Sequence, residues 1–151
     1  MAQPSAYADP RRELVSLLPR LRRFALTLAS DLAGADDLVL GACSKLRTGE
    51  LPDGAQRLDL HLFASMRMLA AAHAAGGPAE RRPSEPSACQ SLVLGAPEGL
   101  AASFLLVEVE GLSYAEAASI LDLSVEDVAS RLCEARLYFS TLAPDVKERR
   151  A

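Results

Sequence analysis

In the stretch LVSLLPRLRRFALTL, the apolar residues Leu14, Leu17, Leu18, Leu21, Phe24, Ala25 and Leu28 recur at steps of three and four. That is the period of one face of an α-helix, and it leaves Arg20, Arg22 and Arg23 on a basic outer face. Pro19 interrupts the pattern, so a kink or a boundary is expected there. Leu and Ala, both strong helix formers, dominate the apolar residues, aromatics make up only 5% of the chain and Trp is absent. An all-α fold follows. Half of the 151 residues are hydrophobic, enough for a core in one domain or in two small helical ones.

The segment AGGPAERRPSEPSACQSLVLGAP, from Ala75 to Pro97, holds four prolines and has little helical period. It reads as a linker with a short apolar patch, Leu92, Val93 and Leu94, able to dock on a neighbour. The expected layout is a helical domain over 10–74, a linker over 75–96 and a second helical domain over 97–143. In the first domain Leu38, Val39, Ala42 and Leu46 share one side of a second helix whose start is ambiguous. A loop, TGELPDGAQ, leads to a third helix with the stripe Leu58, Leu62, Met66 and Leu69.

The second domain opens on the apolar helix GLAASFLLVEVE, with Gly111 as its C-cap. Ser113 with Glu116 and Ser124 with Asp127 are two capping-box spacings, each starting a helix. Ala117, Ala118, Ile120 and Leu121 point inward from the first, and Val128, Leu132, Ala135 and Phe139 from the second. Two helices joined by the short turn LDL describe a helix-turn-helix whose second helix is SVEDVASRLCEAR.

Charge separates the two halves. Between Arg11 and Leu51 seven basic residues stand against five acids, whereas between Pro97 and Ala143 two stand against eight. A phosphate-binding surface is locally basic, and the second half is the opposite. Cys43, Cys89 and Cys133 form no C-x-x-C pair, and His61 and His73 are too far apart for one helix face. Neither a disulfide framework nor a metal site is expected, and Cys133 reads as a small, half-buried residue. No nucleophile elbow, phosphate loop or carboxylate–histidine cluster is present, so the expected protein is not an enzyme and takes no cofactor or small-molecule substrate. The start, MAQPSAYADPRREL, lacks a signal-peptide apolar run, and no segment approaches the roughly 18 apolar residues of a membrane span. A cytoplasmic protein without membrane contact is expected.

The segments LPRLRRFALTLASDLAGADDLVLGACSKL, LHLFASMRML and GLSYAEAASILDLSVEDVASRLCEAR together resemble the extracytoplasmic-function (ECF) group of bacterial sigma-70 factors, those of the general stress response in particular. The first is similar to that family's sigma-2 opening, the last to its sigma-4 motif. The resemblance implies that Asp36, Asp37, Leu38 and Val39 lie on the helix that docks on core RNA polymerase. It implies that Ser124, Val125, Ala129, Ser130, Arg131 and Arg136 face promoter DNA.

The departures are as specific as the matches. Leu40, Gly41 and Ala42 replace polar residues of the polymerase-binding helix, and only Arg81 and Arg82 remain of a basic run after the third helix. The family's G-T-V-K reads Glu126, Asp127, Val128, Ala129, and its R-A-R reads Glu134, Ala135, Arg136. Each basic residue missing from a phosphate-facing position lowers the salt dependence of binding by roughly one unit, and carboxylates add repulsion. Promoter binding is therefore expected to be weak or absent. Two readings follow. One is a sigma factor that binds core polymerase and a promoter. The other is a sigma mimic, similar to the sigma-like domain of stress-response regulators, that holds an anti-sigma factor. In the second, a partner helix lies in a groove lined by Leu105, Leu106 and Val109 together with Leu92–Leu94.

Overall fold

The computed structural model describes residues 10–47, 57–75, 85–97 and 99–142, and every regular element among them is helical. The loop at 48–56 and the pair Arg81 and Arg82 lie outside the described residues.

Helix α1 (Pro10–Leu28) runs unbroken through Pro19. Pro19 is exposed, so the carbonyl that loses its amide partner there can turn to water. The start of α2 (Leu32–Arg47), ambiguous in sequence, is set by Asp31, whose Oδ1 accepts the Gly34 amide at 2.7 Å. Helix α3 (Leu58–Ala75) packs on both, and the short α4 (Ala88–Leu94) lies along α1. Helix α4 falls inside the expected linker and is held by a full capping box between Ser87 and Gln90.

On the other side of the 75–96 segment, α5 (Leu100–Phe104) continues as a π-helical turn (Leu105–Val109) closed by the Glu110 amide on the Leu105 carbonyl at 2.9 Å. Gly111 follows at φ +70°, a left-handed cap that an L side chain would strain. Helices α6 (Tyr114–Leu121) and α7 (Val125–Leu142) are joined by Asp122 at φ +54°, Leu123 and Ser124. Ser113 and Glu116 form the expected reciprocal capping box. The Asp127 amide donates to Ser124 Oγ at 3.0 Å, which starts α7. The second helix of the motif thus runs past Arg136 to Leu142.

The two groups of helices share one core. Leu21, Phe24, Leu62, Phe63 and Met66 are wholly buried with Leu106, Ala117 and Val128 in a single cluster. Phe24 and Phe63 meet edge to face with centroids 5.0 Å apart. Phe63, one residue off the expected α3 stripe, is part of this core. Leu18, counted on the inner face of α1, is 38% exposed instead, because it sits at the edge of the stripe. Helix α3 also packs against α6, and α1 against both α5 and the π turn.

Candidate functional site

The geometry that positions a functional surface begins with the arginines of α1, which do not form a free basic face. Arg20 and Arg23 both reach across to Glu110, at the end of the π turn. Arg20 Nε donates to Glu110 Oε2 at 2.5 Å and Arg23 Nη2 to Oε1 at 3.2 Å, while the Glu110 side chain is only 2% exposed. Arg20 also donates to Asp59 of α3 at 3.1 Å and lies over the Phe63 ring, 5.6 Å from its centroid. Burial opposes the charge on Arg20, but Glu110 and Asp59 hold its pKa above the ordinary guanidinium value. Burial likewise opposes the Asp59 charge, and the hydrogen bonds from Arg57, the Leu60 amide and Arg20 outweigh it, holding the carboxyl below its usual range. Further across the contact, Arg57 pairs with Glu116 at 3.2 Å and Arg67 with Asp122 at 3.8 Å.

Beside this ionic seam lies an apolar groove of about 540 Å³. Its walls are Leu26 of α1, Leu92 and Val93 of α4, Phe104, the π-turn residues Leu105 and Val109, and Phe139 of α7. Arg23, Thr27 and Gln90 are the polar residues at its border. Phe104 and Phe139 pack together with centroids 5.1 Å apart. Of the groove residues expected on the π turn, Leu105 and Val109 line it, and Val109 is 50% exposed. Leu106 does not. It is wholly buried, because the turn carries it to the opposite, core-facing side. Leu92 and Val93 of the apolar patch line the groove as well, whereas Leu94 packs against the core instead. The sequence reading missed Leu26, Phe104 and Phe139 as wall residues, and Glu110 as the carboxylate beside them. The excess of acids in the second half was the available signal for Glu110.

The expected DNA-facing residues are on α7 or at its start, but they do not form a basic surface. Ser124, Val125 and Ser130 are exposed, and Ala129 is half-buried. Arg136 Nε donates to Glu108 Oε1 at 2.8 Å, with a second bond from Nη2 to the same oxygen. That pairing, led by the hydrogen bond to Glu108, raises the Arg136 pKa. The Arg131 guanidinium lies against Gly99, which sits at φ +81° before α5, and any side chain at Gly99 would collide with it. Both arginines of α7 are thus turned toward their own helical group. Glu126, Asp127 and Glu134 remain exposed, with Leu137 at 69% exposure beside them. Cys133, expected to be half-buried, is exposed on the same helix.

On α2, Asp36 and Asp37 are exposed, and Asp36 pairs with Arg22 at 3.2 Å. Leu38, expected on the polymerase-binding surface, is 2% exposed and belongs to the core, while Val39 is half-buried. Leu40 is 66% exposed, and Gly41 gives Leu69 of α3 room to pack close. Among the described residues no cluster of His, Cys, Asp and Glu could hold a metal ion, and no helix is long and apolar enough to cross a membrane.

Residues 97–138, spanning α5, the π turn, α6 and most of α7, match the sigma-70 region 4 family. The chain has the fold of the sigma factor RpoE of Bartonella quintana, solved in complex with the anti-sigma factor NepR. The TM-score is 0.71 at 23% identity, over 89% of this chain and 96% of that one. It is also similar to the anti-anti-sigma factor PhyR of the same organism, again solved with NepR, with a TM-score of 0.60 at 20% identity. There it spans 89% of this chain and 50% of PhyR. No curated protein matches the chain in sequence. Its carboxy-terminal helices thus match sigma-70 region 4, and the chain has the all-α fold found in both a sigma factor and an anti-anti-sigma factor.

Proposed function

We propose that this chain is a sigma-family regulator that works by seating a helix of an anti-sigma factor in its apolar groove, within a general stress response, and that it does not hold promoter DNA. The observation that carries the reading is the groove itself. An open apolar channel with Leu105 and Val109 on its floor suits the apolar stripe of an amphipathic helix. The surface of α7 argues in the same direction. A helix that meets phosphates with Glu126, Asp127 and Glu134, and keeps Arg136 on Glu108, is repelled where it should be attracted. In this reading residues 10–74 are the sigma-2-like unit and 97–143 the sigma-4-like unit, both contributing walls. The protein works as a cytoplasmic binding module without catalysis or cofactor.

A second reading, a sigma factor acting with core RNA polymerase, is favoured by the region 4 match and by the exposed pair Asp36 and Asp37. One experiment separates them. The purified chain is titrated with a NepR-type anti-sigma factor and, in parallel, added to core RNA polymerase on a stress-type promoter at low salt. Saturable binding at about 1 μM or tighter, with no transcript, is the expected result. A specific transcript, or no binding of the anti-sigma factor, would sink the proposal.

A further inference from the structure

We propose that Glu110 is a latch that assembles the groove by holding α1 against the π turn. One wall of the groove, Leu26 and Thr27, comes from α1, and the floor, Leu105 and Val109, from the turn on the far side of the 75–96 segment. The groove therefore exists only while these two elements stay together. Beside the apolar packing of Leu21 and Phe24 with Leu106, Glu110 supplies the ionic tie between them. Each of its carboxylate oxygens is taken by a different arginine of α1, and its side chain is almost wholly out of water.

Three features make this contact a positioning device in addition to a source of stability. First, the Glu110 carboxylate leaves water to meet two partly exposed arginines, so its desolvation offsets much of the attraction and the fixed geometry is what the pairing adds. Second, the receiving arginine is set in advance. Asp59 and the Phe63 ring hold Arg20 from the α3 side, so the guanidinium fork is already aimed when Glu110 meets it. Third, the tie is made by a π turn, a rare widened helical turn. The turn sends Glu108 to Arg136 of α7 and Glu110 to Arg20 and Arg23 of α1, while Leu105 and Val109 face the groove. A movement of the turn thus shifts the groove floor and both ties at once. The outer pairs, Arg57–Glu116 and Arg67–Asp122, are more exposed and restrain the contact less.

The importance of the groove to a partner rests on the function proposed above, but closure can be read without any partner. The test compares the full chain with its Glu110→Gln and Glu110→Asp variants by amide hydrogen exchange, small-angle scattering and titration with a NepR-type anti-sigma factor. Glu110→Gln is expected to raise exchange in residues 20–28 and 100–112, leave α2 protected and increase the radius of gyration. Anti-sigma affinity is expected to fall about tenfold, within the usual range of coupling between sites. Glu110→Asp, which keeps the charge but withdraws it by one methylene, should give a smaller change in the same direction. It also decides the matter if Glu110→Gln loses protection throughout the chain. Unchanged radius and protection in the folded variants would overturn the latch. If the unaltered chain fails to bind the anti-sigma factor while Glu110→Gln still opens the molecule, the proposed function falls and the latch stands.

Discussion

Two sets of carboxylates in the second half of the chain behave differently. Glu108, Glu110, Glu116 and Asp122 each face an arginine, three of them across the contact with α1, α3 and Arg57 just before it. Glu126, Asp127 and Glu134 lie exposed along α7. The excess of acids over bases in this half is therefore two things at once. Part is taken up by arginines, those of α1, Arg57 and Arg67 in the first half and Arg136 in the second. The rest is a surface charge on the helix that, in a promoter-reading protein, would meet DNA. Within the paired set only Glu110 is buried, while the unpaired acids of α7 set a negative potential on its outer side.

The difference between the inner and outer sides can be sharpened first by stability. Leu106→Ala, under the π turn, should cost about 2–5 kcal/mol in chemical denaturation. Leu137→Ala, on the exposed side of α7, should change it by less than about 0.5 kcal/mol. Equal costs would break the comparison.

The next largest effect is electrostatic. Replacing Glu126, Asp127 and Ala129 together by Gly, Thr and Lys should create measurable DNA binding at low salt. Its salt dependence should steepen by roughly one unit for the added lysine. Anti-sigma binding should stay unchanged, since none of these side chains lines the groove. The same change removes two acids from the first turn of α7, at about 0.3–1 kcal/mol each. DNA binding as weak as before would mean that another part of the surface excludes the duplex.

The smallest expected effect concerns pH. Asp59 is held below its ordinary carboxyl range in the folded chain. Its contribution is complete above the unfolded carboxyl value, about 3.9, and is lost as pH falls through the lower folded value. The stability difference between the unaltered chain and Asp59→Asn should thus be constant from pH 7 to about 5 and shrink below about 4. A difference that persists undiminished at the acid end would remove Asp59 from the ionic seam.

Much of the helix-turn-helix was readable in one dimension because its signals are local. The spacing of Ser113 and Glu116 is a capping box whether or not the rest of the chain is known, and it forms as read. The inward residues Ala117, Ala118, Ile120 and Leu121 are all buried, since a 3.6-residue period marks a face without naming what covers it. Leu38 and Leu106 show where that reasoning stops. Family position put one on a polymerase-binding surface, apolar character put the other in a groove, and both lie in the core. Periodicity marks a buried face, but not which apolar residues beside it stay open for a partner.

By itself, then, the sequence determined the long helices, the capping boxes of the helix-turn-helix, most apolar faces and the loss of basic character at the start of α7, but not α4 or the start of α2. These depend on backbone period, side-chain capping and charge count, all local quantities. Only the tertiary structure decided where the arginines go. Arg20 and Arg23 turn to Glu110, Arg136 to Glu108, and Arg131 to the space left by Gly99. A long charged side chain takes whichever counter-charge the packing brings within reach, and that partner can be 90 residues away in the chain, as Glu110 is from Arg20.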